Sequence, residues 1–272
     1  MWTLFGNNKS QNRLSRRGHI ICAALILIGF CLIASASRAL YSDYHEDSAA
    51  RDEYDRLRGL FHMAVSSQPS GYRSEFIDSP TVEQEEPQYP SGSLFSQDIN
   101  CPSQPDPLVS LVELNPDFIG WIAIGDIVDY PVVRGYDNSF YLSITFTGNS
   151  NPAGTIFMDY RLAQGFNVPV CILYGHNMRD GSMFAQLNRY LEPEFMADHP
   201  DIAITTLEGE TLLYRVIAAR RTDMRDRAYA FDFQEDDPVI SSGGTDRYLL
   251  LSTCTPGPDK DERLLVYAAL VM

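Results

Sequence analysis

From Leu108 onward the chain is a succession of short β-prone runs separated by turn residues, and that texture limits what it can fold into. Trp121–Ile124 and Ile127–Val133 flank Gly125-Asp126, a hairpin signal, and Ile202–Leu207 and Leu212–Ala219 flank Glu208-Gly-Glu210. Thr155–Met158, Val168–Tyr174, Tyr248–Cys254 and Leu264–Val271 bring the expected strands to eight within residues 108–272. Strands so short and closely spaced predict a mainly β fold, a closed barrel or sandwich rather than a parallel α/β sheet. One helix is expected among them, Asp180–Leu191, because Met183, Phe184, Leu187 and Leu191 share a helical face and Asp180 or Ser182 can cap its start. A shorter one, Leu108–Leu114, ends at Asn115-Pro116.

Ahead of this domain the chain changes character three times. Residues 1–19 are basic, with Lys9, Arg13, Arg16 and Arg17. Residues 20–36 are apolar, and a helix of about twenty such residues crosses a bilayer core. The basic flank before it and the acidic stretch after it (Asp43, Glu46, Asp47, Asp52, Glu53) orient the rest of the chain outward. Ala34-Ser-Ala36 offers a signal-peptide cleavage site as the alternative, but the length of the run favours a single-pass anchor. Either way the remainder is exported, and the expected location is the cell membrane with an extracellular domain. Residues 37–107 then combine a stalk, or a helix packed on the domain, with a Pro-rich linker that cannot bury a core. The domain itself is expected at 108–272.

Acidic residues outnumber basic ones by 36 to 21, a formal charge of −15, which argues against nucleic acid as a partner. No C-x-x-C pair stands among the five cysteines, which argues against a structural zinc site, and no cofactor is implied. Thr222–Asp246 carries Asp223, Asp226, Asp232, Glu235, Asp236 and Asp237 without EF-hand spacing, and is expected as a solvated loop rather than a calcium site. Cys22 and Cys31 lie in the apolar segment; Cys101 lies in the linker, and Cys171 in the middle of an expected strand.

The remaining thiol stands in a suggestive place. Cys254 ends one expected strand and Arg263 precedes the next, with a polar loop between them. An antiparallel connection sets thiol and guanidinium at one end of the sheet on neighbouring strands. A nearby cation favours the thiolate. The bland alternative is a core cysteine and a solvated edge arginine. His176 follows another expected strand, at its junction with the expected helix, where side chains tend to face a cleft; His199, in Ala197-Asp-His-Pro200, is expected at the surface. One Cys, one His and one Arg at strand ends make a set: a nucleophile, an acid for a leaving amine, and fixed positive charge for an oxyanion or a substrate carbonyl.

The order His then Cys is opposite to that of papain-like enzymes. Read together, Asn115-Pro-Asp-Phe-Ile-Gly-Trp-Ile122, Asp129-Tyr-Pro-Val-Val133, Gly154-Thr-Ile-Phe-Met-Asp-Tyr-Arg161, Leu173-Tyr-Gly-His-Asn-Met178, Asp180-Gly-Ser-Met-Phe184, and Leu251-Ser-Thr-Cys254 with Arg263 resemble a sortase, specifically class B, over about residues 108–272. The resemblance implies an eight-stranded barrel and a membrane-anchored cysteine transpeptidase of Gram-positive bacteria. It implies Cys254 as nucleophile, His176 as general acid/base and Arg263 as the substrate-positioning, oxyanion-stabilising residue. The implied partners are sorting-signal-bearing surface proteins, cleaved after threonine, and an amine of peptidoglycan precursor or a pilin as acceptor. An exported thiol hydrolase using water is the alternative, and a membrane-tethered binding module is a third reading that the intact trio disfavours. One departure stands out: Thr222–Asp246 is too short for the long helix usual there in class B, so the usual sorting motif is not carried over.

Overall fold

The computed structural model describes residues 16–67, 107–230, 239–240, 247–257, 259 and 261–271. Among these residues eight strands occur: β1 Phe118–Ile124, β2 Val128–Val133, β3 Ile156–Met158, β4 Val170–Tyr174, β5 Asp201–Thr206, β6 Thr211–Asp223, β7 Tyr248–Cys254 and β8 Glu262–Leu270. They close into a barrel in the order β1-β2-β3-β4-β7-β8-β6-β5, with β5 returning to β1. The expected hairpins form as β1–β2 and β5–β6. Two neighbours, β2–β3 and β4–β7, run parallel, which the strand pattern does not announce.

Period-2 alternation divides the side chains of β7 and β8 between two clusters. Leu249, Leu251, Leu264 and Val266 join the large core, whereas Tyr248, Leu250, Leu265, Tyr267 and Ala269 join a smaller one. That second cluster also takes Val170 and Ile172 of β4, with Ala228 and Ile240 from the chain between β6 and β7. Burial on both faces is why these strands read as continuous apolar runs rather than alternating ones. The long β6 extends to Asp223, past the expected Ala219. Arg220, Arg221 and Thr222 look like loop residues, yet they pair with Leu265, Leu264 and Arg263.

The α-helices among the described residues include α1 Arg16–Ser67, α2 Pro107–Leu114 and α3 Pro193–Asp198. The compact unit that holds the barrel begins at Ala49, within α1 and upstream of residue 108. Ala50, Tyr54, Leu57 and Phe61 recur at spacings of one helical face, and all four are buried. Phe61 stacks on Trp121 of β1 at 4.3 Å. Tyr54 donates to the carbonyl of Gly154 and meets Tyr130 edge-on at 5.3 Å. Gly154 has φ 56°, and a Cβ there would lie 2.3 Å from Tyr141 O, so only glycine fits this junction. Glu53 accepts from Thr145 Oγ1 and Thr147 N, both at 2.9 Å. Asp129 gathers Trp121 Nε1 at 2.6 Å, His62 Nε2 at 2.8 Å and, through its carbonyl, Arg58 Nε at 2.9 Å.

The expected membrane segment falls within α1. Among the described residues no helix is long and apolar enough to cross a membrane. The side chains of residues 20–24 lie outside the described ones. Leu25, Ile26, Leu27, Ile28, Phe30, Leu32 and Ile33 are all exposed. The linker residues 68–106, Cys101 among them, also lie outside the described residues.

The packing of α1 gives a direct test. Phe61→Ala removes the ring that stacks on Trp121 and is expected to destabilise the barrel unit by about 3 kcal/mol. For a domain of this size that corresponds to a fall in Tm of roughly 6–12 °C. A chain begun at Pro107, lacking all four buried residues of α1, is expected to melt lower still. Thermal melts followed by circular dichroism measure both, and an unchanged Tm would show that α1 contributes nothing to the fold.

Candidate active site

The register of two strand pairs builds one rim of the barrel. β4 and β7 are parallel, with Tyr174 beside Ser252. His176 lies two residues beyond Tyr174 and Cys254 two beyond Ser252, so the pairing carries both to the same level. On the other side of β7 the antiparallel pairing sets Cys254 beside Arg263. Neighbouring strands lie about 4.8 Å apart, so Cys254 and Arg263 are adjacent at this rim, and His176 follows the end of the strand on the other side of β7. Cys254 is partly accessible. Cys171, in β4, is wholly buried, and burial pushes its thiol well above the usual range.

His176 sits where the chain leaves the β4 edge. Gly175 N donates to Ser252 O at 3.2 Å, the last main-chain rung between this chain and β7. The ring of Phe184 packs against Gly175, where a Cβ would meet it at 2.6 Å. The chain then loops and returns: Phe184 N donates to His176 O at 2.9 Å, and Asn177 faces Met183 across an isolated antiparallel bridge. Met183 takes the left-handed φ of 55°, unfavourable for a residue with a side chain, and its N–H is held by Tyr130 Oη at 3.2 Å. His176 Nε2 lies 2.7 Å from the carbonyl of Leu142. A carbonyl only accepts, so Nε2 carries the hydrogen of this bond.

The helix expected over Asp180–Leu191 is a 3₁₀ helix confined to Ala185–Leu191. Its buried stripe is Phe184, Leu187 and Tyr190, every third residue, and Leu191 is exposed. The expected stripe assumed a period of 3.6, whereas i→i+3 bonding gives 3.0 and rotates position 191 outward. Asp180 does not cap this helix; its Oδ1 accepts from Ser182 N and Oγ in the preceding turn. His199, expected at the surface, is half-buried, stacked on Phe195 at 4.3 Å and 3.6 Å from Asp126.

Several polar residues around the rim have no signal in the sequence. The carbonyl of Cys254 accepts from Asn177 Nδ2 at 3.0 Å and Asn188 Nδ2 at 3.5 Å. Tyr229 Oη lies 2.9 Å from Ser252 Oγ, on the same face of β7 as Cys254, and its ring stacks with Tyr174. Burial raises the Tyr229 phenol, and the Arg263 charge works in the opposite direction. Beneath this pair lies Asp159, fully buried, which accepts from Arg161 Nε at 2.8 Å and Nη2 at 2.7 Å, Asn138 Nδ2 at 2.9 Å and Tyr174 Oη at 3.0 Å. Arg161 Nη2 also donates to Tyr229 O at 3.2 Å. At the start of β8, Arg263 Nη1 donates to Glu262 O at 3.0 Å, and the Glu262 carboxylate takes Thr255 Oγ1.

In the acidic stretch, Asp226 is held by the two terminal guanidinium nitrogens of Arg220, at 2.7 and 3.0 Å, and by Thr222. Asp232, Glu235, Asp236 and Asp237 lie outside the described residues. Among the described residues no group of three or more His, Cys, Asp or Glu side chains could hold a metal ion.

Residues 123–271 match the Sortase domain family. Sortase B of Listeria monocytogenes is 35% identical over 185 residues, which span 61% of this chain and 74% of that protein. Sortase B of Staphylococcus aureus is 26% identical over 270 residues, 93% of this chain and 94% of that one. The solved Staphylococcus aureus sortase B–substrate complex superposes with a TM-score of 0.64 at 24% identity, covering 83% of this chain and 98% of that one.

Two carboxylates make the fold pH-sensitive. Burial alone would raise Asp159, but the hydrogen bonds from Arg161, Asn138 and Tyr174 outweigh it and hold the group below the usual carboxylate range. The Arg220 guanidinium holds Asp226 far below that range. A carboxylate depressed in the fold contributes stability above its unfolded pKa, near 4, and that stability is lost as pH falls through the folded value. Melting temperature is therefore expected to fall as the solution is acidified below about pH 4. Asp159→Asn keeps the shape without the charge, so it should melt lower than wild type at pH 7, with the gap closing on acidification. A gap constant with pH would remove the charge of Asp159 from the account.

Proposed function

The chain belongs to the sortase family, with the class B enzymes, and is a cysteine transpeptidase; from that premise we propose that Cys254, His176 and Arg263 carry the reaction. The observation that supports the reading is the register: Tyr174 pairs with Ser252 across β4–β7, so 176 and 254 each follow that pair by two residues, and 263 stands beside 254 across β7–β8. The accessible position of Cys254, against the buried Cys171, favours it as the nucleophile.

In this reading the Cys254 thiolate attacks the carbonyl carbon of a threonine in the sorting signal of a surface protein. The Arg263 guanidinium donates to the oxyanion or to neighbouring substrate carbonyls. With Nε2 engaged by Leu142, Nδ1 of His176 is the nitrogen left to exchange a proton. The imidazolium gives that proton to the departing amine as the C–N bond breaks, leaving a thioester on Cys254. An acceptor amine, of peptidoglycan precursor or a pilin, then attacks the thioester and yields a proton to His176. The C–S bond breaks and the thiolate is restored.

The reading includes a membrane anchor at residues 20–36 with the catalytic domain on the extracellular side of a Gram-positive cell. Seven large apolar side chains between Leu25 and Ile33 stand exposed on α1, a face that water disfavours and lipid accepts. The basic residues ahead of it and the acidic ones after it support that orientation.

The full chain, incubated with a library of threonine-containing sorting peptides and hydroxylamine as the amine, is expected to form a thioester on Cys254 and to release hydroxamates, both read by mass spectrometry. Free acids in place of hydroxamates would make the protein a hydrolase, and cleavage by a folded Cys254→Ala variant would remove Cys254 from the chemistry. Arg263→Lys keeps the charge and loses the planar fork. It is expected to lower turnover by roughly 10²-fold, the scale of losing one oxyanion donor, with Tm nearly unchanged. An active lysine variant of equal stability would exclude Arg263 from the mechanism.

A further inference from the structure

The parallel pairing of β4 with β7 stops one rung short of the site. In a parallel ladder the bonds are evenly spaced, and alternate residues of one strand bond to its neighbour. Gly175 N donates to Ser252 O. The next rung of that series would join Asn177 N to Cys254 O. The backbone has turned away by then, for Asn177 faces Met183 across the return of its own loop. The Cys254 carbonyl nevertheless receives its bond, from the side-chain amide of Asn177 at 3.0 Å. His176 is thus bracketed by a main-chain rung on one side and a side-chain rung on the other. We propose that Asn177 is a positioning residue of this enzyme: its carboxamide replaces the missing rung of the β4–β7 ladder and sets the separation of His176 from Cys254.

The inference rests on the roles proposed above for those two residues. It follows from the contrast between the two halves of the bracket. Gly175 is tied to β7 by the sheet and pressed by the Phe184 ring, so the chain before His176 cannot shift without breaking strand pairing. Between His176 and Leu191 the hydrogen bonds to β7 among the described residues come from side chains, Asn177 and then Asn188 at the longer 3.5 Å. Phe184 N and Leu142 O hold His176 to its own loop and to its neighbour, but neither ties it to β7; removing the nearer amide loosens the one short bond that references this loop to Cys254. A displacement of about 1 Å between reacting groups is enough to lower turnover about 10²-fold.

The test follows alkylation of Cys254 by iodoacetamide against pH in the full chain, read by mass spectrometry of the Cys254 peptide. Wild type, His176→Ala, Asn177→Ala and the double variant are compared, with Tm measured for each. The reaction needs the thiolate, whose sulfur bonds to the acetamide carbon as iodide leaves, so the profile reports what His176 does to the thiol. His176→Ala is expected to alter the profile, Asn177→Ala to reproduce the altered profile, and the double variant to add nothing. On a peptide selected from the library, Asn177→Ala should lower kcat by roughly 10- to 100-fold with KM little changed. Asn177→His, whose Nδ1–H stands as many bonds from Cα as the amide nitrogen, should restore both. If Asn177→Ala melts well below wild type, Asn177→Asp serves instead, with the same shape and no donor. A wild-type profile and kcat in the Asn177 variants would overturn the proposal alone. A wild-type profile in His176→Ala would overturn the reading of His176 on which it rests.

Discussion

The parallel contact between β4 and β7 is the constraint on which the rim depends. Both strands are buried on both faces, so a slip of one residue would turn every side chain over, sending Leu249 and Leu251 out of the core and Leu250 into it. The core therefore specifies the register. The register in turn brings the ends of β4 and β7 side by side, so residues 176 and 254 each leave the paired strands two positions beyond Tyr174 and Ser252. The antiparallel β7–β8 pair does the same for Arg263. A precise rim is thus inherited from packing that lies well below it.

What covers the barrel's outer surface is arranged around this need. Helix α1 fills one side through Ala50, Tyr54, Leu57 and Phe61, and its Glu53 and Tyr54 hold the 145–154 segment in place. The chain after β6 covers another side, placing Ala228 and Tyr229 against β4 and β7. Its described part is tied down by charge as well as by apolar contact: Asp226 is clasped by Arg220, and Arg161, itself held on Asp159, donates to Tyr229 O. Asp159 has five protein hydrogen bonds to its carboxylate, which is what a fully buried anion requires. Of the segment Thr222–Asp246, the described residues include a brief 3₁₀ turn, Arg227–Tyr229, and Val239 and Ile240 in helical conformation, while 231–238 and 241–246, where a longer helix would fall, lie outside the described residues.

Much of this was legible in the amino-acid sequence, and the rest was not for identifiable reasons. Eight strands could be read because Gly125-Asp126 and Glu208-Gly-Glu210 punctuate them and because β-branched and aromatic residues cluster between the turns. Strand partners across long connections could not: a pairing of Tyr174 with Ser252, 78 positions further along the chain, leaves no trace in hydrophobic periodicity. Cys254, His176 and Arg263 could be singled out because reactive residue types at strand ends are few. Asn177, Asn188, Tyr229 and Asp159 could not, since a carboxamide or a phenol is ordinary until its partner is known, and those partners lie as many as 77 residues away. The 3₁₀ helix failed for a subtler reason. Met183, Phe184, Leu187 and Leu191 satisfy a period of 3.6 as well as Phe184, Leu187 and Tyr190 satisfy 3.0, and only the tight turn at Met183 decides between them.

A reactive residue at a strand end faces two opposed demands. It must be reachable, which requires that the sheet stop there, and it must be held, which the sheet would have done. Within β7 every residue before Cys254 is buried, whereas Cys254 itself is partly open, so the change occurs within a single residue. Pro256, two residues on, has no N–H with which to continue the ladder. Side chains then take up the ladder's work at the rim. Asn177 and Asn188 serve the Cys254 carbonyl, and Thr255 joins the Glu262 carboxylate across the β7–β8 connection. Such substitutes hold a backbone without covering it, because each contributes a single bond from one side where a neighbouring strand would contribute a continuous edge. Polar residues with long-range main-chain partners are therefore to be sought wherever a buried strand surfaces at a site.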